Sequence, residues 1–151
     1  HGSVFFDANA EGLIDCAASI QVGIRSPMPP EVLDWTLGKG LTIVTAEEVH
    51  LAGPEAIATR IRETVGQRPA YLSFDVDAVD PSQAPGTGTP EIGGLFTWQV
   101  QAILRRLGPV AFAGMDVVEV CPPYDHADIT ALLGATVAWE YLSLAAVGRR
   151  P

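Results

Sequence analysis

An α/β layered sandwich built on a mostly parallel sheet is the fold class that this sequence predicts, and three observations carry it. Short β-branched runs alternate with helical patterns along the chain. The strand-like runs are mostly continuously apolar, as strands buried on both faces of a parallel sheet are. Prolines and glycines fall at the boundaries between the two kinds of segment.

In chain order, residues 19–24 (Ser-Ile-Gln-Val-Gly-Ile) read as a first strand. Residues 30–37 read as a helix opening on Pro30, whose fixed φ suits a first turn. Residues 41–45 form the second strand and 54–65, from Pro54 to the residue before Gly66, the second helix. A third strand covers 70–77, a helix 96–107, a fourth strand 110–120, and a long closing helix 127–147. This β-α-β-α order gives the layered sandwich. No repeat, low-complexity tract or linker divides the chain, so it is one domain or part of one. The proline and glycine density between 81 and 94 is too patterned for a spacer.

With 151 residues, 48% of them apolar, the chain has material for a sizeable core. A net charge of -9, one lysine (Lys39) and eight arginines that never form a stripe argue against binding a nucleic-acid backbone. No apolar run approaches the roughly 18–20 residues a membrane helix needs, which predicts a soluble protein with no membrane partner. Cys16 and Cys121 form no CxxC pair, which suits a reducing, cytoplasmic setting and a packing role for each. The first residue is His1 rather than Met, with no leader or tag, which predicts a chain entered midway.

Ligands in open α/β sheets gather where the loops leave the carboxyl ends of the strands. Two such ends carry unusual chemistry. On a strand, Asp75 and Asp77 project to one face while Phe74 and Val76 face the other. Two adjacent carboxylates repel, so this pair predicts either a cation between them or carboxylates spent on capping turns. Mn²⁺ and Mg²⁺ suit such oxygen ligands, and an accompanying imidazole favours Mn²⁺. Glu119 falls within the apolar run Val117-Val118-Glu119-Val120, where a charge needs a partner: a ligand's cation, or an arginine such as Arg25. Asp75-Val76-Asp77-Ala78-Val79 also matches the nucleophile motif of haloacid dehalogenase-like phosphatases. That chemistry needs a later lysine beside the phosphate, and none follows Lys39. His50, beside Glu47 and Glu48, reads as a surface residue.

The stretch 73–95 has the pattern S-F-D-V-D-x-x-D-P-x-x-x-P-x-T-G-T-P-x-x-G-G-L, and with it the chain resembles the ureohydrolases, the arginase and agmatinase family. Gly12-Leu13-Ile14-Asp15, the run 20–25 (Ile-Gln-Val-Gly-Ile-Arg), Met115-Asp116-Val117-Val118-Glu119-Val120 and Pro122-Pro123-Tyr124-Asp125-His126 are similar to agmatinase-type members. The resemblance implies a three-layer α-β-α sandwich with a mostly parallel, arginase-like sheet, of which residues 1–151 would be an incomplete half: the carboxyl-terminal part of a single catalytic domain. It implies manganese-dependent hydrolysis of a guanidino compound, agmatine first, to urea and an amine. Two Mn²⁺ per complete site would generate the attacking hydroxide.

By the same resemblance Asp75 would bridge the two ions and Asp77 bind one of them. Glu119 would clamp the substrate guanidinium through two parallel hydrogen bonds, Thr89 would steady that glutamate, and His1, followed by Gly2, would be the catalytic proton carrier. Asp80 and Pro81 would shape the turn, and Cys121 shares the face of Glu119. His126 would fix the loop leading into the last helix, or stand at the site's rim. The family's Gly-Gly-Asp-His and Asp-Ala-His-x-Asp segments, expected upstream of His1, do not occur in this chain. Alone it is therefore expected to be inactive and marginally stable, with unpaired strand edges; when complete, a homotrimer or homohexamer is expected. The alternatives are a guanidinobutyrase or other guanidino-acid ureohydrolase, and a non-catalytic homologue or assembly fragment.

Overall fold

The structure, a computed structural model, describes residues 3–148. Its elements follow in the order α1 (Val4–Ala10), β1 (Ile20–Ile24), α2 (Pro30–Gly38), β2 (Thr42–Thr45), α3 (Ala46–Val65), β3 (Ala70–Asp75), α4 (Thr97–Leu104), β4 (Phe112–Val118) and α5 (Ile129–Gly148), with short 3-10 turns at Cys16–Ala18, Val76–Ala78 and Pro122–Tyr124. All strand pairing is parallel, β1 with β2 and β3 with β4, so the α/β class holds. Among the described residues each strand has a ladder on one side only, the open-edge arrangement expected of strands separated from sheet neighbours.

The core is one apolar cluster that includes Val44, Val49, Ile57, Phe74, Val76, Leu95, Val100, Leu133 and Val137. Around it α3 packs on β1, β2 and α4, and α5 packs on β4 and α4. Helix α1 was not anticipated; it buries none of its residues, so little in its sequence marks a core-facing stripe. Helix α3 begins eight residues before the expected start. Thr45 and Glu48 form a reciprocal cap there, the Glu48 backbone N–H on the Thr45 hydroxyl and the Thr45 N–H on the Glu48 carboxylate at 2.7 Å. The helix is broken at Gly53 (φ 79°), and Pro54 starts its second half, which is the helix read from the sequence.

Two strand ends also differ. Strand β3 stops at Asp75, and Asp77 lies in the following 3-10 turn, so the pleat of a strand is not what brings the two carboxylates together. Strand β4 stops at Val118, leaving Glu119 just beyond it in the left-handed conformation (φ 63°).

The expectation that no segment is long and apolar enough for a membrane is overturned by α5. Residues Ile129–Val147 meet that length and composition, with a mean hydropathy of 1.4. Thr130, Thr136, Glu140 and Ser143 interrupt the run without lowering its average far. Here the helix lies along β4 and α4, and Glu140, 8% exposed, meets Arg105 at 2.5 Å halfway along it. Its start is held by Asp125, whose carboxylate accepts the N–H groups of His126, Thr130 and Ala131.

Candidate functional site

The register of the β3–β4 ladder builds the site. Asp75 stands opposite Val118, so Glu119 leaves β4 one residue past the point where Asp75 ends β3. Parallel pairing thus delivers Asp75, Asp77 and Glu119 to one end of two neighbouring strands, where an open α/β sheet binds ligands. The Asp75 carboxylate accepts the backbone N–H of Asp77 at 2.8 Å, closing the turn between them.

Asp75 is exposed as a residue, yet its surroundings strip enough water from the carboxyl group to push its pKa upward. That desolvation is the largest cause. The negative charges of Asp77 and Glu119 add to it, while the Asp77 N–H and the Arg25 guanidinium oppose it. Three carboxylates therefore share one electrostatic environment, and it favours a cation.

Asp77 is the more firmly held of the pair. Its two oxygens accept hydrogen bonds from the hydroxyls of Thr87 and Thr89. The Thr87 hydroxyl also lies 3.0 Å from the carbonyl oxygen of Glu119. Thr87 is 2% exposed, and with one proton and two acceptors it ties the carboxylate turn to the strained residue after β4. The resemblance assigned Thr89 to steadying Glu119, whereas here its hydroxyl donates to Asp77; Thr87 was not singled out. The available signal was the T-G-T spacing, which sets two hydroxyls on the same side of a turn.

Around this centre, Asp80 shapes the turn as read from the sequence. Its carboxylate accepts from Ser82 and from the N–H groups of Gly93 and Gly94, folding 80–94 back on itself. A side chain at Gly94 would run into the Asp80 backbone, and one at Gly86 into Asp125. Arg25 spends its guanidinium on the carbonyls of Gly23, Asp77, Glu91 and Ile92.

The remaining candidates fall as follows. His1 lies outside the described residues. His126 is exposed; its carbonyl accepts the Ile129 N–H in the loop leading into α5, while the helix start is capped by the Asp125 carboxylate. His50 is at the surface but not idle: its Nε2 is 3.1 Å from the Gly94 carbonyl and its Nδ1 3.3 Å from the Gln99 amide, so the ring donates to the first and accepts from the second. Cys16 is buried; Cys121 is half-buried, and its backbone N–H donates to the Gly86 carbonyl at 2.7 Å.

The donor chemistry fits part of a metal centre. Asp75 and Asp77 offer hard oxygen donors in a region where negative charges crowd. Among the described residues no group of three or more His, Cys, Asp or Glu side chains is placed to hold an ion.

In sequence and fold the chain is similar to known proteins. The family model described as the arginase family matches residues 1–143. The agmatinase of Photorhabdus laumondii subsp. laumondii is 47% identical over 150 residues, 99% of this chain and 47% of that protein. The solved structure of proclavaminate amidino hydrolase from Streptomyces clavuligerus superposes with a TM-score of 0.94 at 46% identity, covering 99% of this chain and 50% of its own. A structure described as a hypothetical agmatinase from Burkholderia thailandensis gives a TM-score of 0.88 at 48% identity, with coverage of 96% and 44%. The chain spans about half the length of the relatives it matches.

Proposed function

This chain belongs to the arginase family, and we propose that it is the carboxyl-terminal part of a ureohydrolase catalytic domain, working within a longer polypeptide on a guanidino compound. The observation that carries the reading is the convergence of Asp75, Asp77 and Glu119 at the carboxyl ends of adjacent parallel strands. Asp75 and Asp77 would hold Mn²⁺ together with ligands from the rest of that polypeptide. When bound, the metal would lower the pKa of coordinated water toward neutrality and so supply a hydroxide nucleophile at working pH.

The protein's own groups do the rest. A guanidinium is planar and resonance-stabilised, so its carbon must be held in line with the nucleophile. The Glu119 carboxylate meets two of its N–H groups in parallel and matches its charge. Thr87 and Thr89 fix the oxygens of Asp77, leaving that carboxylate one orientation. As the tetrahedral species collapses, the departing amine needs a proton, and His1 is assigned to deliver it. The products are urea and an amine.

Agmatine is the favoured substrate, given the agmatinase relatives. The similar likeness to a proclavaminate amidinohydrolase keeps a guanidino acid such as guanidinobutyrate as the second reading. A homotrimer or homohexamer in a cytoplasmic setting completes the proposal. The test is urea release by the natural full-length polypeptide with added Mn²⁺, offering agmatine, arginine and guanidinobutyrate in parallel. Agmatine should be the preferred compound; preference for guanidinobutyrate would select the second reading, and no release from any would contradict both.

A further inference from the structure

Arg25 follows the last residue of β1, half-buried, and most of what it binds is 52 to 67 residues away in sequence. Its Nη2 donates to the Asp77 carbonyl at 2.7 Å and to the Glu91 carbonyl at 2.5 Å. Its Nε lies 3.2 Å from both the Glu91 and Ile92 carbonyls, and its Nη1 3.3 Å from the Gly23 carbonyl. One planar fork thus joins the end of β1, the turn bearing Asp77, and the far limb of the 80–94 loop. It also brings the positive charge that acts on Asp75 against the repulsion of Asp77 and Glu119.

We propose that Arg25 is a positioning residue that presets the Asp75–Asp77 turn for metal binding by clamping the Asp77 main chain to the 91–92 loop. The inference rests on the reading of Asp75 and Asp77 as metal ligands and extends it to a residue that touches neither carboxylate through its hydrogen bonds. The geometry separates shape from charge. A lysine keeps the charge, but its three donors radiate from one atom and cannot reproduce a planar fork that spans four carbonyls. If charge alone mattered, lysine would serve; if the clamp matters, it would not.

The experiment is Mn²⁺ titration by calorimetry on the natural full-length polypeptide, unaltered and as Arg25→Met and Arg25→Lys, with circular dichroism melts run on each. The expected result is Mn²⁺ affinity lowered about 10- to 100-fold in Arg25→Met, the range for loss of an outer-shell partner, with Arg25→Lys recovering little of it and the native dichroism retained. Unchanged affinity in Arg25→Met, or full recovery in Arg25→Lys, overturns the inference while leaving the metal reading intact. Should Arg25→Met not fold, Arg25→Lys decides: weakened binding with native dichroism supports the clamp, and unaltered affinity overturns it. Absence of Mn²⁺ binding by the unaltered polypeptide would instead sink the metal reading, and the clamp with it.

Discussion

Glu119 occupies a backbone conformation that glycine adopts freely and glutamate does not, at a cost of about 1–3 kcal/mol when such residues persist. The surrounding structure holds it there, since the buried Thr87 hydroxyl lies between its carbonyl and the Asp77 carboxylate. Strain maintained at a strand end beside two aspartates fits a side chain aimed at a ligand. Glu119→Gln should therefore spare Mn²⁺ binding and lower kcat/KM for the guanidino substrate by a few kcal/mol, the scale of removing one partner from a desolvated charge pair. Steady-state kinetics beside metal titration checks this, and unchanged kinetics would return Glu119 to a structural role. Thr87→Val removes the shared hydroxyl while keeping the volume. Stability should fall by about 1–3 kcal/mol, as for a buried acceptor left unsatisfied, and Mn²⁺ should bind more weakly; denaturant melts showing no loss would contradict the tie. Both acidic positions and Glu119 were legible in the sequence because carboxylates stand out in apolar runs. Thr87 and Arg25 were not, because their roles depend on contacts that the 80–94 loop makes only once it is folded.

At the scale of elements, the four strands and the second half of α3 lie close to where β-branched runs and proline punctuation put them. The errors gather at ends. The apolar run continues past Asp75 and past Val118, but the ladder does not: a 3-10 turn takes Asp77 and a left-handed residue takes Glu119. Periodicity cannot show where a backbone leaves a sheet, and those departures aim the site. The 80–94 loop is a case where turn chemistry was readable, since Asp80 closes on backbone as its type suggests. The Ser82 hydroxyl and N–H, then the N–H groups of Gly93 and Gly94, hold the Asp80 carboxyl below its usual pKa despite some opposing desolvation. A carboxylate with a lowered folded pKa adds stability that is present above the unfolded pKa, near 3.9, and is lost as pH falls through the lower folded value. Asp80→Asn in the full-length polypeptide should accordingly flatten the fall of Tm in acid, between about pH 5 and 2, and lower Tm at neutral pH. Parallel acid slopes for the two proteins would contradict this.

At the scale of the molecule, much apolar surface is left open. Leu13, Leu51, Ile92, Leu132, Trp139 and Leu142 are all at least 60% exposed, and each parallel pair offers an open strand edge. Helix α5 is apolar on nearly every face, the pattern of a helix meant to be surrounded, yet only part of it is covered here. These features, with coverage of about half of each relative, fit a chain that completes its core, and the metal centre proposed for it, with further polypeptide. Residues 1–151 expressed alone should unfold at low denaturant and release no urea from agmatine above a Mn²⁺ blank; release above that blank would refute the claim that the site is partial. The overall class was legible because it depends on alternation of strand and helix patterns summed along the chain.

The central claim is that Asp75 and Asp77 hold manganese at the end of β3. It is tested most directly by crystallising the full-length polypeptide with Mn²⁺ and collecting anomalous diffraction at the manganese edge. Two anomalous peaks should appear, both beside the Asp75 carboxylate and one of them also beside that of Asp77, with Glu119 facing the open side. Peaks elsewhere, or none beside these carboxylates at saturating Mn²⁺, would contradict the account.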